Sequence, residues 1–245
     1  MSLQTSAVET KNLTKDFGAF RALDNLNLKI DNGVVHGLLG PNGAGKTTAI
    51  KILCGLLKPT GGEAYLLGRR IPHRSILPSI GYMPQDPALY VDLSVHHNLQ
   101  LYGELYDMPS SRIAEREEEL LDFVALKGWR NKPVSNLSGG MKHRVSLACS
   151  MIHEPKLLFL DEPTVGVDPE LRASFWEYFN RLKTKGITII LTTHYMDEAQ
   201  HCDKISLMRQ GKLIAEGMPG EITRMTNTTS LEDAFLALTK HGEGL

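Results

Sequence analysis

Gly40-Pro41-Asn42-Gly43-Ala44-Gly45-Lys46-Thr47-Thr48 combines glycines, a lysine and two hydroxyls in an order suited to holding phosphate. The glycines let the backbone curl and aim successive N–H groups inward, an anion-binding nest that the N-terminus of a following helix reinforces. Lys46 supplies a cation to the outer phosphates of a nucleoside triphosphate, and the Thr47 hydroxyl is placed to ligate Mg2+. At ordinary glycine usage the bare pattern arises by chance in roughly one chain of this length in a hundred. Context lowers that figure, because the apolar run 34–39 before the loop suits a buried strand and a helix is expected from about Thr47.

A second apolar run, 157–160, ends in Asp161-Glu162-Pro163. Ligands of open α/β sheets gather at the carboxyl ends of the strands, where Asp161 joins the Mg2+ shell and Glu162 orients or deprotonates a water. Two adjacent acids are weak evidence alone; two acids ending an apolar strand downstream of a phosphate loop are much stronger. His194 ends a third apolar run after Thr192-Thr193. A lone histidine is more often structural, but the strand-end position aims this one at the γ-phosphate. Ser138-Gly139-Gly140 opens a helical stretch that runs toward Ile152, and it reads either as a second anion-binding terminus or as an ordinary N-cap.

The elements that must position these residues form an α/β pattern. Runs 34–39, 157–160 and 187–191 are apolar throughout, as expected of parallel strands covered by helices on both faces. Leu26, Leu28 and Ile30 alternate with polar residues, which predicts a strand with one wet face, turned by Asp31-Asn32-Gly33. Ile113, Leu120, Leu121 and Val124 recur at helical spacing, with 116–119 expected as the opposite, solvated face. Asp168 followed by Pro169 starts another helix, whose stripe is Leu171, Phe175, Tyr178 and Leu182. The expected organisation is one domain: an antiparallel lobe plus phosphate-loop core (1–85), an inserted helical lobe (86–154), the remainder of a parallel-sheet core (155–217) and a C-terminal helical tail (218–245).

Composition narrows the function classes. A formal net charge of −1 over 245 residues gives no basic field for nucleic acid. Cys54, Cys149 and Cys202 are odd in number and far apart, without metal-ligand spacing, and read as reduced buried side chains. No run approaches the ~18 apolar residues that span a bilayer, and residues 1–10 lack the basic and apolar regions of a signal peptide. A membrane role is therefore expected to come through a partner.

Together these segments resemble the nucleotide-binding subunit of an ATP-binding cassette (ABC) transporter, from about Val8 to beyond Gly217. Residues 40–48 match the family's first nucleotide motif and 157–162 its second. Ser138-Gly139-Gly140 resembles the signature motif, Gln85 the glutamine that senses Mg2+ and the membrane partner, and Val165-Gly166-Val167-Asp168 the D-loop. His194 sits where the family keeps its switch histidine, and Phe17, before Gly18, resembles the aromatic that stacks on adenine. The resemblance implies that two copies sandwich two Mg2+-ATP, with Ser138 and Gly140 of one gripping the γ-phosphate held by Lys46 of the other. Met141 departs from the glutamine of many members, and Val165 and Val167 from the commoner D-loop; neither change removes a phosphate ligand.

His194-Tyr195-Met196-Asp197-Glu198-Ala199 with Cys202-Asp203, and Ser230-Leu231-Glu232-Asp233-Ala234-Phe235, are similar to ABC-2 type exporter ATPases, whose permease is a separate chain. The implied protein is peripheral, at the cytoplasmic face of the cell membrane. An apolar, aromatic stretch after Gln85, including Leu89, Tyr90 and Tyr102, is expected to supply helical core and a groove for a permease helix. An importer subunit remains as an alternative. A binding GTPase fits less well, because Asn131-Lys132-Pro133-Val134 lacks the aspartate of the guanine motif. A cassette acting on nucleic acid or ribosomes lacks support too: there is neither an inserted coiled coil nor a second cassette.

Overall fold

The computed structural model describes residues 6–240; residues 1–5 and 241–245, the ends of the expected 1–85 and 218–245 segments, lie outside the described residues. β1 (Val8–Phe17) and β2 (Phe20–Leu26) form a hairpin, and β3 (Lys29–Ile30) pairs with the start of β1. The single alternating strand expected through Leu26, Leu28 and Ile30 is therefore interrupted. Side chains take over the pairing there: the Thr10 hydroxyl accepts from Leu28 N at 2.8 Å and donates to Leu26 O, while Asn27 Oδ1 accepts from Asn12 N. The three apolar side chains stay buried despite the break.

The chain then enters β4 (Val35–Leu39), passes through the glycine-rich loop into α1 (Lys46–Leu53), and returns to the antiparallel sheet as β5 (Gly61–Leu66) and β6 (Arg69–Arg70). A 3-10 turn leads to β7 (Ile80–Met83). The helices α2 (Val95–Leu105), α3 (Ser110–Phe123) and α4 (Gly139–Met151) follow before the chain rejoins the sheet as β8 (Leu157–Asp161). Next come α5 (Pro169–Thr184), β9 (Thr188–Thr193), the short α6 (Met196–Ala199), β10 (Lys204–Arg209) and β11 (Lys212–Gly217). α7 (Pro219–Met225) and α8 (Leu231–Lys240) end the described chain.

The central sheet has the order β11-β10-β4-β9-β8-β7, parallel except for the antiparallel β10–β11 pair at one edge. Its inner strands are apolar throughout because each face meets a different core. Val35, Leu39, Leu158, Leu160, Ile189 and Leu191 join the layer containing Leu120, Val145 and Phe175. Leu38, Leu157, Phe159 and Ile190 point the other way, into the layer of α1 and the antiparallel sheet. Alternation of side chains along a strand thus produces two cores from one run.

One expectation fails on α3. Of the charged run 116–119, Arg116 and Glu117 are only 4% and 2% exposed. They lie three and four residues from both Ile113 and Leu120 or Leu121, which puts them on the apolar face. Their charges are met there: Arg116 reaches Met151 O at 3.1 Å, and Glu117 accepts from Arg130 at 2.8 Å and contacts His96 Nδ1 at 2.9 Å.

Candidate active site

In-register parallel pairing brings three strand ends together. Leu39 of β4 lies opposite Thr193 of β9, and Thr192 opposite Asp161 of β8. The segments leaving these strands, with Gly40, Glu162 and His194, therefore meet at one edge, as the sheet-end argument requires.

Two glycines of the phosphate loop are dictated by space and backbone. A Cβ on Gly40 would lie 2.2 Å from Met208 O, and on Gly45, at φ +101°, 2.6 Å from Ala22 O. Gly45 thus binds the loop against β2, the strand whose hairpin displays Phe17 at 49% exposure and, across from it, Phe20 at 61%. Pro41, Asn42 and Gly43 form the exposed rim, Ala44 is buried beneath them, and Thr48 lies half-buried in the first turn of α1.

Lys46 is buried, its Nζ donating to Gly40 O at 2.7 Å and Pro41 O at 3.1 Å. Burial lowers its pKa, while the nearby Glu162 and Asp161 carboxylates act in the opposite direction. Asp161 Oδ1 accepts from Thr47 at 3.1 Å and from Thr192 at 2.6 Å. Its Oδ2 is buried without a hydrogen-bond partner. Burial raises the Asp161 pKa against the two hydroxyls that lower it. A buried, orphaned carboxylate oxygen beside a threonine hydroxyl fits an oxygen-seeking cation. Among the described residues no group of three or more His, Cys, Asp or Glu could hold a metal, so Mg2+ here would share its shell with phosphate and water.

Glu162 has a left-handed backbone, φ +55°, and its N–H donates to Thr192 Oγ1 at 3.0 Å. Its carboxylate meets His194 Nδ1 at 3.0 Å and Gln85 Nε2 at 3.4 Å. Lys46, Thr47, Gln85, Asp161, Glu162 and His194, named from sequence, are thus gathered in one constellation. Thr192 was missed: its one hydroxyl links the Asp161 carboxylate to the Glu162 backbone N–H, and only its place one residue before the strand end hinted at that.

Ser138, Gly139 and Gly140 are not part of that constellation. Ser138 is exposed and caps α4, accepting from Met141 N at 3.3 Å, while Met141 itself packs on the larger core. A Cβ on Gly140 would stand 2.8 Å from Gly166 O, so the turn abuts the segment 165–168. Asp168 caps α5 through Leu171 N at 3.0 Å. Beside the strand ends opens a groove of about 760 Å3 that runs from Thr47 and Asp161 past Gln85 to Tyr102 and Tyr106. Leu89 packs into the helical core, Tyr102 lines the groove with its hydroxyl donating to Ala88 O, and Tyr90 is 57% exposed.

A family model described as ABC transporter matches residues 23–165. The chain is 42% identical over 240 residues to the probable multidrug ABC transporter ATP-binding protein YbhF of Escherichia coli, covering 95% of this chain but 42% of that one. It is 41% identical over 221 residues to the Nod factor export ATP-binding protein I of Cupriavidus metallidurans, covering 89% and 73%. The dimeric, post-hydrolysis structure of the ATP-binding cassette MJ0796 bound to ADP and Pi superposes with a TM-score of 0.81 at 27% identity, over 86% of this chain and 98% of that one. This chain thus spans less than half the length of YbhF and nearly all of a solved cassette. With more than half of its residues inside the family match and its strand-end constellation built on the cassette fold, the chain belongs to the ABC transporter family as an ATP-binding subunit.

Proposed function

We propose that this subunit hydrolyses ATP and that the resulting motion drives a separate membrane permease, in the direction of export. The observation that carries the catalytic part is the orphaned Asp161 Oδ2 next to Thr47, one residue from a Glu162 carboxylate held by His194 and Gln85. Lys46 exchanges its contacts with Gly40 O and Pro41 O for phosphate oxygens, while the loop 40–48 cradles the phosphates and Phe17 stacks on the base. Thr47, Asp161 and Gln85 would hold Mg2+. Bound Mg2+ supplies neutralisation of the phosphate charge. Glu162 orients the attacking water and His194 steadies the γ-phosphate end.

A second copy completes each site. Ser138, Gly139 and Gly140, with Asp168 beside them, meet the nucleotide held by the partner's phosphate loop; the dimeric MJ0796 structure supports this reading. The groove beside Gln85 receives a short permease helix, so that closure around the nucleotide reaches the membrane. Among the described residues no helix is long and apolar enough to cross a membrane; the subunit would sit peripherally, at the cytoplasmic face of the cell membrane. Export rests on the likeness to the Nod factor export ATP-binding protein I. On this reading the segments 1–85, 86–154, 155–217 and 218–245 are the antiparallel lobe plus phosphate-loop core, the helical lobe, the remainder of the core and the C-terminal helical tail of one domain.

The deciding experiment is Glu162→Gln. It should bind Mg2+-ATP normally and hydrolyse it on the order of 10² to 10⁴ more slowly, whereas Lys46→Ala should lose nucleotide affinity itself in equilibrium binding. Parental turnover by Glu162→Gln would overturn the assignment.

A further inference from the structure

Glu198 of α6 is buried, 2% exposed, yet it carries an acid that the proposed hydrolysis does not use. Its two oxygens are taken by two different segments. Thr164, two residues after Glu162, donates to Oε1, and Thr193, directly before His194, donates to Oε2 at 2.8 Å. Both threonines are 1% exposed. Arg172 of α5 brings its Nε to 3.7 Å from Oε1 and donates through Nη2 to Val167 O at 3.2 Å. Such a carboxylate is expensive to bury unless each oxygen is met, and here it is met by groups from three elements.

The linkage extends further in both directions. On one side, His194 meets Glu162 at 3.0 Å. On the other, residues 162–167 form consecutive turns, Val165 N to Glu162 O at 3.3 Å and Val167 N to Thr164 O at 3.1 Å, which bring Gly166 O against Gly140. A set of hydrogen-bonded groups therefore runs from the strand-end constellation to the turn at Gly166, whose carbonyl lies close against Gly140 of the Ser138-Gly139-Gly140 turn, and Glu198 is its junction.

We propose that Glu198 is a positioning residue that couples the nucleotide held by this chain to the nucleotide that its Ser138 turn grips in the partner copy. The inference rests on the two-site sandwich proposed above. A shift of His194 moves Thr193, Glu198 passes the shift to Thr164, and the turn through Gly166 carries it to Gly140. Bonded side chains with two discrete arrangements are the physical means by which such coupling travels. Glu198 touches neither nucleotide, so its loss should disturb communication more than binding.

The test measures steady-state hydrolysis against ATP concentration, and nucleotide binding separately, on the full chain. Glu198→Ala should lower kcat roughly 3- to 30-fold, the span expected of residues along a coupling route, and bring the Hill coefficient toward one, with equilibrium ATP binding within about twofold. Glu198→Gln keeps an acceptor oxygen and a donor and should restore most of both. Thr164→Val should reproduce the Ala phenotype and Thr164→Ser should not; this pair decides the matter if Glu198→Ala does not fold. Unchanged cooperativity in folded Glu198→Ala, or in Thr164→Val, overturns the proposal, as does a loss confined to KM. The parental protein and Glu162→Gln are run alongside. If the parental protein shows no ATP-dependent dimer, the sandwich itself fails; if the dimer forms and the Hill coefficient ignores Glu198, only the junction fails.

Discussion

Two helix N-termini in this protein, those of α1 and α4, are the ones proposed to meet phosphate, and they are finished to different degrees. Around the start of α1, Lys46, Asp161 and Glu162 are 6%, 0% and 9% exposed and hydrogen-bonded to one another's neighbours. At the start of α4, Ser138 and Gly139 are exposed, with the Met141 N–H as the serine's partner. Burial preorganises the first terminus for chemistry, because fixed donors and acceptors need no reorganisation when charge shifts. The second is kept open, which suits a surface that acquires its phosphate from elsewhere. On the proposed sandwich, one is a site and the other is the lid of someone else's.

The largest effect expected from breaking this contrast is at the open terminus. Ser138→Arg, introduced into Glu162→Gln protein, places a bulky cation where the partner's phosphate must approach. Sedimentation with Mg2+-ATP should then show monomer where the parental Glu162→Gln shows dimer, while ATP binding to the monomer persists. A dimer indifferent to both ATP and Ser138 would make the two termini equivalent again.

A smaller loss is expected within the buried terminus. Thr192→Val preserves shape but removes the hydroxyl that joins Asp161 to the Glu162 backbone, leaving both groups short of a partner. An unmet buried polar group costs about 1–3 kcal/mol, so kcat should fall on the order of tenfold with modest loss of thermal stability. Normal turnover would show that the strand ends hold their carboxylates without it.

The buried side also carries a pH signature. His36 on β4 is 0% exposed, and burial lowers its pKa to about 4. Below the unfolded value near 6.5 the unfolded chain binds a proton that the folded chain refuses, so stability is full above that value and declines as pH falls toward 4. The total is roughly 3 kcal/mol at most. In chemical denaturation, His36→Gln should flatten that part of the profile by about one proton; His153, whose pKa burial also lowers to about 4, accounts for part of what remains. An unaltered slope would mean His36 is protonated in the fold.

The smallest effect on hydrolysis is expected at the exposed Tyr90, two residues from Ala88 of the groove. Tyr90→Ser should leave the isolated ATPase within about twofold, as surface substitutions generally do, but weaken capture by the permease in pull-downs from detergent-solubilised membranes. Undiminished capture would move the docking surface elsewhere.

What was legible in the sequence follows from what is local. The phosphate loop, the acids after 157–160 and the histidine after 187–193 are contiguous with the strands that aim them, so reading the strand gave the site. Wholly apolar runs announced parallel strands because both faces are covered. Glu117 was misread as solvated because its partners Arg130 and His96 lie 13 and 21 residues away, and Arg116 because its bond to Met151 O, 35 residues away, adds to the local ion pair with Glu119. Thr192 and Glu198 escaped for a similar reason: Thr192 meets Glu162 30 residues off and Glu198 meets Thr164 34 residues off, and a group shared between two segments leaves no periodic trace. The break between β2 and β3 was equally hidden, since Thr10 and Asn12 meet Leu28 and Asn27 only after folding.

The alternation along β8 gives the molecule an internal control for motion. Leu158 and Leu160 touch the layer built with the helices α3 to α5, whereas Leu157, one residue away, touches the layer that carries the phosphate loop. Isotope-labelled methyl groups at these leucines report on opposite sides of one rigid partition. If nucleotide binding swings the helical lobe, Leu158 and Leu160 should change their signals while Leu157 keeps its own, so a single strand separates movement of the lobe from loosening of the whole fold.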